Sequence, residues 1–147
     1  DAGPPATAPA AGPAPSGEDW TADAVAAAFA ATGRIVLEGT DFATGSTTIL
    51  GGPTPRLQAL ADWLKADPKR RVAVVGHSDW TGSVEANLKV SRARAAAVAQ
   101  QLAGLGIPVA RIRVDGVGPL APLAPNGDPA GLQANRRVEV VQLPDAG

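Results

Sequence analysis

The chain has no cysteine, which removes disulfides, thiolate nucleophiles and cysteine-held metals from consideration. A lipid-modified N-terminal cysteine is excluded within these residues for the same reason. There is a single histidine, His77, and one imidazole cannot assemble a zinc site, so no metal and no other cofactor is expected. Long hydrophobic runs are missing: the longest, such as Val72 to Val75, fall far short of the roughly 20 residues of a membrane helix. Membrane attachment is therefore expected only through parts absent from this chain. Neither sign of charge dominates, with 13 Lys and Arg against 14 Asp and Glu and a formal net charge of −1. That balance argues against a nucleic-acid partner, which usually meets a basic face. It argues equally against electrostatic attachment to anionic lipid. The first residue is Asp1 rather than Met, which reads as a processed or truncated start.

What is present divides unevenly along the 147 residues, a length for one domain with a core plus some unstructured chain. Residues 1–18 are almost entirely Ala, Pro, Gly, Ser and Thr. With nothing large to bury, they are expected to form a mobile or partly extended linker. Residues 19–33 read as a short N-terminal helix, with Thr21 as its cap, an Ala-rich interior and Gly33 as its stop. Trp20, Val25 and Phe29 could lie against the domain that follows.

That domain is expected over residues 34–143, with 144–147 as a tail. Arg34 to Glu38 alternates as a first strand. Thr54-Pro55 starts a helix, Leu57, Leu60, Ala61 and Leu64 give it an apolar face, and Asp67-Pro68 ends it. Arg71 to Val75 is apolar enough for a central strand. Ser83 caps a long second helix that runs to the Gly104/Gly106/Pro108 stop, with Leu88, Ala95, Val98, Leu102 and Leu105 as its buried seam. Arg111 to Val117 and Arg136 to Leu143 are the last strands, joined by a loop over 118–134. The fold class is α/β: a two-layer sandwich in the order β-α-β-α-β-β, a mixed four-stranded sheet with helices on one face.

The chemistry concentrates in Gly76-His77-Ser78-Asp79-Trp80-Thr81-Gly82-Ser83 and continues to Asn87, Ser91 and Arg94. Ligands of open α/β sheets tend to bind beyond the carboxyl ends of strands, and Asp79 stands at that place. At about 100° per residue, Asn87, Ser91 and Arg94 fall within roughly 60° of one another on the packed side of the helix, where polar groups need partners. If the last strand runs antiparallel beside the Arg71–Val75 strand, then Asn135, Arg136 and Arg137 approach His77 to Asp79. A carboxylate attracts an ammonium and a guanidinium offers a fork to a carboxylate. The candidate pocket therefore suits a zwitterion such as the free end of an amino acid.

These segments, with Ser91-Arg92-Ala93-Arg94-Ala95 and Asn135-Arg136-Arg137-Val138-Glu139-Val140, resemble the OmpA-like C-terminal domain family over residues 34–143. The resemblance implies non-covalent binding of peptidoglycan through the meso-diaminopimelate of its peptide stem. It implies a periplasmic place at the outer membrane or cell wall, and a role in anchoring an outer-membrane or periplasmic protein. By the family pattern Asp79 meets the ligand's amino group and Arg94 its carboxylate. Ser78, Asn87, Asn135 and Arg136 complete the expected ligand-binding set. Ser78 stands where the family usually has Thr and Val90 where Leu is common. Pro119 stands where Glu is frequent and Leu132 where Arg is, so one cationic group of the pattern is missing from the 118–134 loop.

A lone Asp before a helix more often serves the turn, and Arg94 alone would more often be an internal ion-pair partner, with Asp79 itself as one choice. Trp80 could stack on a sugar or stem peptide or could equally cover the core edge. Catalysis is not expected, because Ser91 lies mid-helix rather than on a strained nucleophile turn. The rival reading is a structural or oligomerisation module of the same fold without wall binding, and self-association is left open.

Overall fold

In a computed structural model, residues 20–37, 41–42, 49–50, 54–125, 127 and 129–146 are described. The 1–18 linker and Glu38 lie outside them. Helix α1 covers Ala22–Thr32, capped by the Thr21 hydroxyl, which accepts from the Ala24 N–H at 3.2 Å, and ended by Gly33 in the left-handed region. Strand β1 (Arg34–Leu37) follows, then two two-residue strands paired with each other, β2 (Asp41–Phe42) and β3 (Ile49–Leu50). Helix α2 (Pro55–Ala66) starts with Thr54 capping and Pro at its first position. Strand β4 (Arg71–His77), helix α3 (Val84–Gly104) and strand β5 (Ile112–Gly118) form the parallel crossover unit. A short helix α4 (Pro129–Asn135) then leads to β6 (Val138–Leu143).

The main sheet has the order β1-β6-β4-β5, with β6 antiparallel to both neighbours and β4 parallel to β5. This is the mixed four-stranded α/β sheet expected from the sequence, with several boundaries moved. Strand β4 runs two residues beyond Val75, so Gly76 and His77 are inside the ladder, and β6 begins at Val138, leaving Arg136 and Arg137 before it. Three further elements had too little length to show a period: the β2–β3 pair, helix α4 within the 118–134 segment, and a single 3-10 turn at Val109–Arg111.

One face of the sheet supplies Ile35, Leu37, Val72, Val74, Val138 and Val140 to the core. Against them pack Val25 and Phe29 of α1, Leu57, Leu60 and Leu64 of α2, and Ala95, Val98 and Leu102 of α3. Period-two alternation on the strands and helical spacing on the helices explain this division. Trp20 and Trp63 are buried in the same core, each with an arginine over its ring, Arg56 and Arg70 respectively, both at 4.5 Å. Among the described residues no helix is long and apolar enough to cross a membrane.

Two glycines let α3 sit close on the sheet and so fix where the site lies. A Cβ at Gly76 would fall 1.8 Å from the Ser91 carbonyl oxygen, and one at Gly116 would fall 2.3 Å from the Arg92 nitrogen. Backbone cannot yield to such contacts, so any side chain there would push α3 off the sheet. The glycine before His77 is thus a packing requirement that brings the first half of α3 over the end of β4.

Candidate functional site

The site forms at the carboxyl ends of β4 and β5, where three segments converge. The 78–83 loop leaves β4, the 119–125 segment leaves β5, and residues 135–137 enter β6. Backbone bonds tie them together: Ser78 N–H donates to the Gly118 carbonyl at 2.9 Å, and His77 N–H to the Arg137 carbonyl at 2.8 Å.

Asp79 is buried. Its Oδ1 accepts from the Thr81 N–H at 2.8 Å, an Asx-type turn of the loop. Its Oδ2 lies 3.3 Å from Nε of Arg136, whose side chain is 45% exposed. Arg94, on the first half of α3, is half-buried and within the field of both. Burial, then the like charge of Arg136, hold the Arg94 pKa below its ordinary value, while the Asp79 carboxylate opposes them. Arginine nonetheless stays charged near neutrality, so two mutually repelling guanidiniums gather around one carboxylate. Such a site offers an anion-binding fork and an ammonium-binding carboxylate side by side.

The remaining expected residues are brought to the same end of the sheet, where each is seen bonding to backbone. Ser78 is buried, and its hydroxyl donates to the Asp79 carbonyl at 3.0 Å. The Asn87 amide donates to the Thr81 carbonyl at 2.7 Å, so Thr81 is held by Asp79 on one side and Asn87 on the other. Asn135 is fully buried. Its Oδ1 accepts from Leu123 N–H at 2.7 Å and Ala124 N–H at 2.9 Å, and its Nδ2 donates to the Ala124 carbonyl at 2.8 Å. Ser91, also fully buried, donates to the Leu88 carbonyl at 3.0 Å and accepts from Gly118 N–H at 2.9 Å. The turn role of Asp79 is among the readings the sequence offers; the second hold on Thr81, from Asn87, is not.

A second polar cluster lies behind the first. Glu139 is buried and accepts from Nε of Arg137 at 2.6 Å and from Nη1 of Arg34 at 3.2 Å. His77 Nε2 is 3.7 Å from the same carboxylate. Burial would raise the Glu139 pKa, but the hydrogen bond and charge of Arg137, with smaller help from His77 and Arg34, lower it overall. For His77 burial, followed by the charge of Arg137, lowers the pKa despite Glu139, so the imidazole is neutral at neutral pH. Arg137 also donates to the Ala121 carbonyl at 3.1 Å, tying the 119–125 segment down a second time. The sequence brings Arg136 and Arg137 together against His77 to Asp79; the structure divides them, Arg136 to Asp79 and Arg137, beside His77, to Glu139.

The OmpA family profile matches residues 41–136. The chain is 38% identical over 103 residues to the "Probable lipoprotein YiaD" of Escherichia coli K12, covering 70% of this chain and 47% of that protein. It is 36% identical over 129 residues to the "Peptidoglycan-binding protein ArfA" of Mycobacterium tuberculosis H37Rv, covering 88% of this chain and 38% of that protein. The chain thus spans less than half the length of either relative. The crystal structure of the peptidoglycan-associated lipoprotein from Burkholderia pseudomallei superposes with a TM-score of 0.65 at 30% identity, over 77% of this chain and 92% of that one. A strand-end carboxylate backed by a late pair of arginines, on a sheet of this order and with these relatives, places the chain in the OmpA family.

Proposed function

We propose that this domain binds peptidoglycan non-covalently by taking the free ammonium and carboxylate of meso-diaminopimelate into the Asp79–Arg94–Arg136 site. By that grip it anchors the protein it belongs to onto the cell wall, in the periplasmic envelope, with residues 1–18 as the connecting segment. One observation carries the reading: the buried Asp79 carboxylate stands against Arg136 while Arg94 is disfavoured by burial and by Arg136. A ligand carboxylate arriving at Arg94 relieves that repulsion, and its ammonium takes up the Asp79 charge. Ser78 and Asn87 serve this site by holding the loop that carries Asp79, and Asn135 by holding the 119–125 segment that leaves β5.

Relatives named for peptidoglycan support the ligand class. The hydroxyl of Ser91 is engaged with Leu88 and Gly118, and His77 lies against Glu139, which supports binding over hydrolysis. Sedimentation with purified sacculi tests the proposal. The chain is expected to co-sediment with meso-diaminopimelate-type sacculi and to stay in solution with lysine-type sacculi. Asp79→Asn, which keeps an acceptor for Thr81, is expected to abolish the first result. Failure of the wild-type chain to co-sediment would favour a structural module of the same fold.

A further inference from the structure

We propose that Trp80, Leu120 and Leu123 form an apolar rim that takes the methylene and methyl groups of the peptide stem adjoining the charged pocket, and that Trp80 thereby selects the stem over the free diamino acid. The inference rests on the function proposed above and adds a contact outside its charged site.

Four large hydrophobic side chains are exposed among the described residues: Trp80 at 49%, Val109 at 74%, Leu120 at 60% and Leu123 at 47%. Val109 lies at the start of β5, at the opposite end of the sheet. The other three lie on the two loops that leave the carboxyl ends of β4 and β5 around Asp79. The chain's other two tryptophans, Trp20 and Trp63, are buried, so Trp80 is the one left half in water rather than covering the core edge.

The rim is also built. The Leu120 N–H donates to the Val117 carbonyl at 3.1 Å, Asn135 clamps Leu123 and Ala124, and Arg137 holds Ala121. A backbone fixed at that many points presents Leu120 and Leu123 in a set position, whereas a merely loose loop could turn them inward. Solvent-exposed apolar groups on neighbouring loops at one end of a sheet mark contact surfaces.

Reach selects the occupant. Trp80 directly follows Asp79, their Cα atoms about 3.8 Å apart, so a ligand whose ammonium meets Asp79 brings the atoms next to that ammonium beside the indole. In meso-diaminopimelate these are the side-chain methylenes, followed through an amide by an alanine methyl. The glycan lies on the far side of the stem, several bonds further out.

The test titrates the full chain, Trp80→Ala and Asp79→Asn with three probes: free meso-diaminopimelate, the tetrapeptide stem ending in alanine, and the disaccharide tetrapeptide. Trp80→Ala is expected to weaken the tetrapeptide about tenfold, the effect of a well-placed contact residue. It is expected to weaken free diaminopimelate less, since that probe offers the methylenes without the alanine methyl, and the disaccharide is expected to add nothing. Equal loss on free diaminopimelate, no loss at all, or loss that appears only with the disaccharide would each overturn the rim. Wild type and Asp79→Asn binding none of the probes would sink the pocket, and the rim with it. Binding that Asp79→Asn abolishes but Trp80→Ala leaves intact would sink the rim alone. Thermal unfolding of Trp80→Ala should match wild type, because the side chain is outside the core.

Discussion

Arg136 and Arg137 are neighbours in the chain with opposite fates. Arg136 keeps 45% of its side chain in water and faces Asp79; Arg137 keeps 6% and faces Glu139, itself buried. Around Glu139, Arg34, His77 and Arg137 close a network that joins β1, β4, β6 and the 119–125 segment. Around Asp79 the partner at 3.3 Å is half exposed, as Arg34 is beside Glu139, and Arg94 lies in the field of both; the difference is Arg137, a buried guanidinium 2.6 Å from Glu139. One strand entry thus serves two clusters, a buried one that locates the loops and a more open one at which ligand binding is proposed.

Glu139→Ala should separate the two most sharply. It leaves Arg137 buried without its carboxylate, and breaking a buried pair from one side costs about 3–5 kcal/mol. Urea unfolding should show that loss. Asp79→Asn should stay within about 1 kcal/mol of wild type, as expected of a pair with an exposed member, while losing ligand. If Asp79→Asn proves the more destabilising of the two, the division between structural and ligand-facing clusters is wrong.

Asn135→Ala comes next. It removes the acceptor for two backbone N–H groups of the 119–125 segment, and buried groups left unsatisfied cost roughly 1–3 kcal/mol. The amides of Leu123 and Ala124 should exchange with solvent faster, which amide hydrogen exchange reads directly. Unchanged exchange would mean that the segment is positioned by other contacts.

Acid acts on the closed cluster in two stages, both in the same direction. The folded-state pKa of His77 is lowered, so the unfolded chain binds its proton first. That contribution is complete above the ordinary histidine value of about 6.5 and is lost as pH falls from there through the folded value. The folded-state pKa of Glu139 is also lowered. Its contribution is present above the ordinary carboxylate value of about 4.3 and is lost as pH falls through the folded value. Unfolding free energy should therefore decline on acidification in an upper and a lower window. His77→Gln should flatten the upper window and leave the lower one.

Much of this was legible in the sequence for definite reasons. The caps at Thr21, Thr54 and Ser83 and the apolar spacing of α2 and α3 are local signals, and local signals survive folding. The meeting of Arg136 with Asp79 followed once the last strand was set antiparallel to β4. The different partners of Arg136 and Arg137 were not legible. That choice depends on β6 starting at Val138 and on which face each side chain then meets, and the two arginines are chemically identical. The bonding of Asn87 and Asn135 was hidden likewise, because an amide's partners are set by loops that only tertiary structure brings near. Helix α4, at seven residues, is too short for periodicity to reveal.

The smallest expected effect probes the open side of the comparison. Arg136→Lys keeps the positive charge beside Asp79 but replaces a planar fork with a point charge on a flexible stem. Because the side chain is half exposed, water and salt screen whatever geometry is lost, and folding stability should not move. For the ligand, the change is confined to the fit of its carboxylate and to the placing of Asp79. Exposed ion pairs are worth roughly 0.2–1 kcal/mol, so stem-peptide affinity should fall by up to about fivefold. The same substitution at Arg137 should instead destabilise the fold, since a lysine there must bury its ammonium against Glu139 without the fork that reaches Ala121 as well. Were Arg136→Lys to destabilise the fold as much as Arg137→Lys, the two clusters would be one, and the site would have to be treated as a single coupled network.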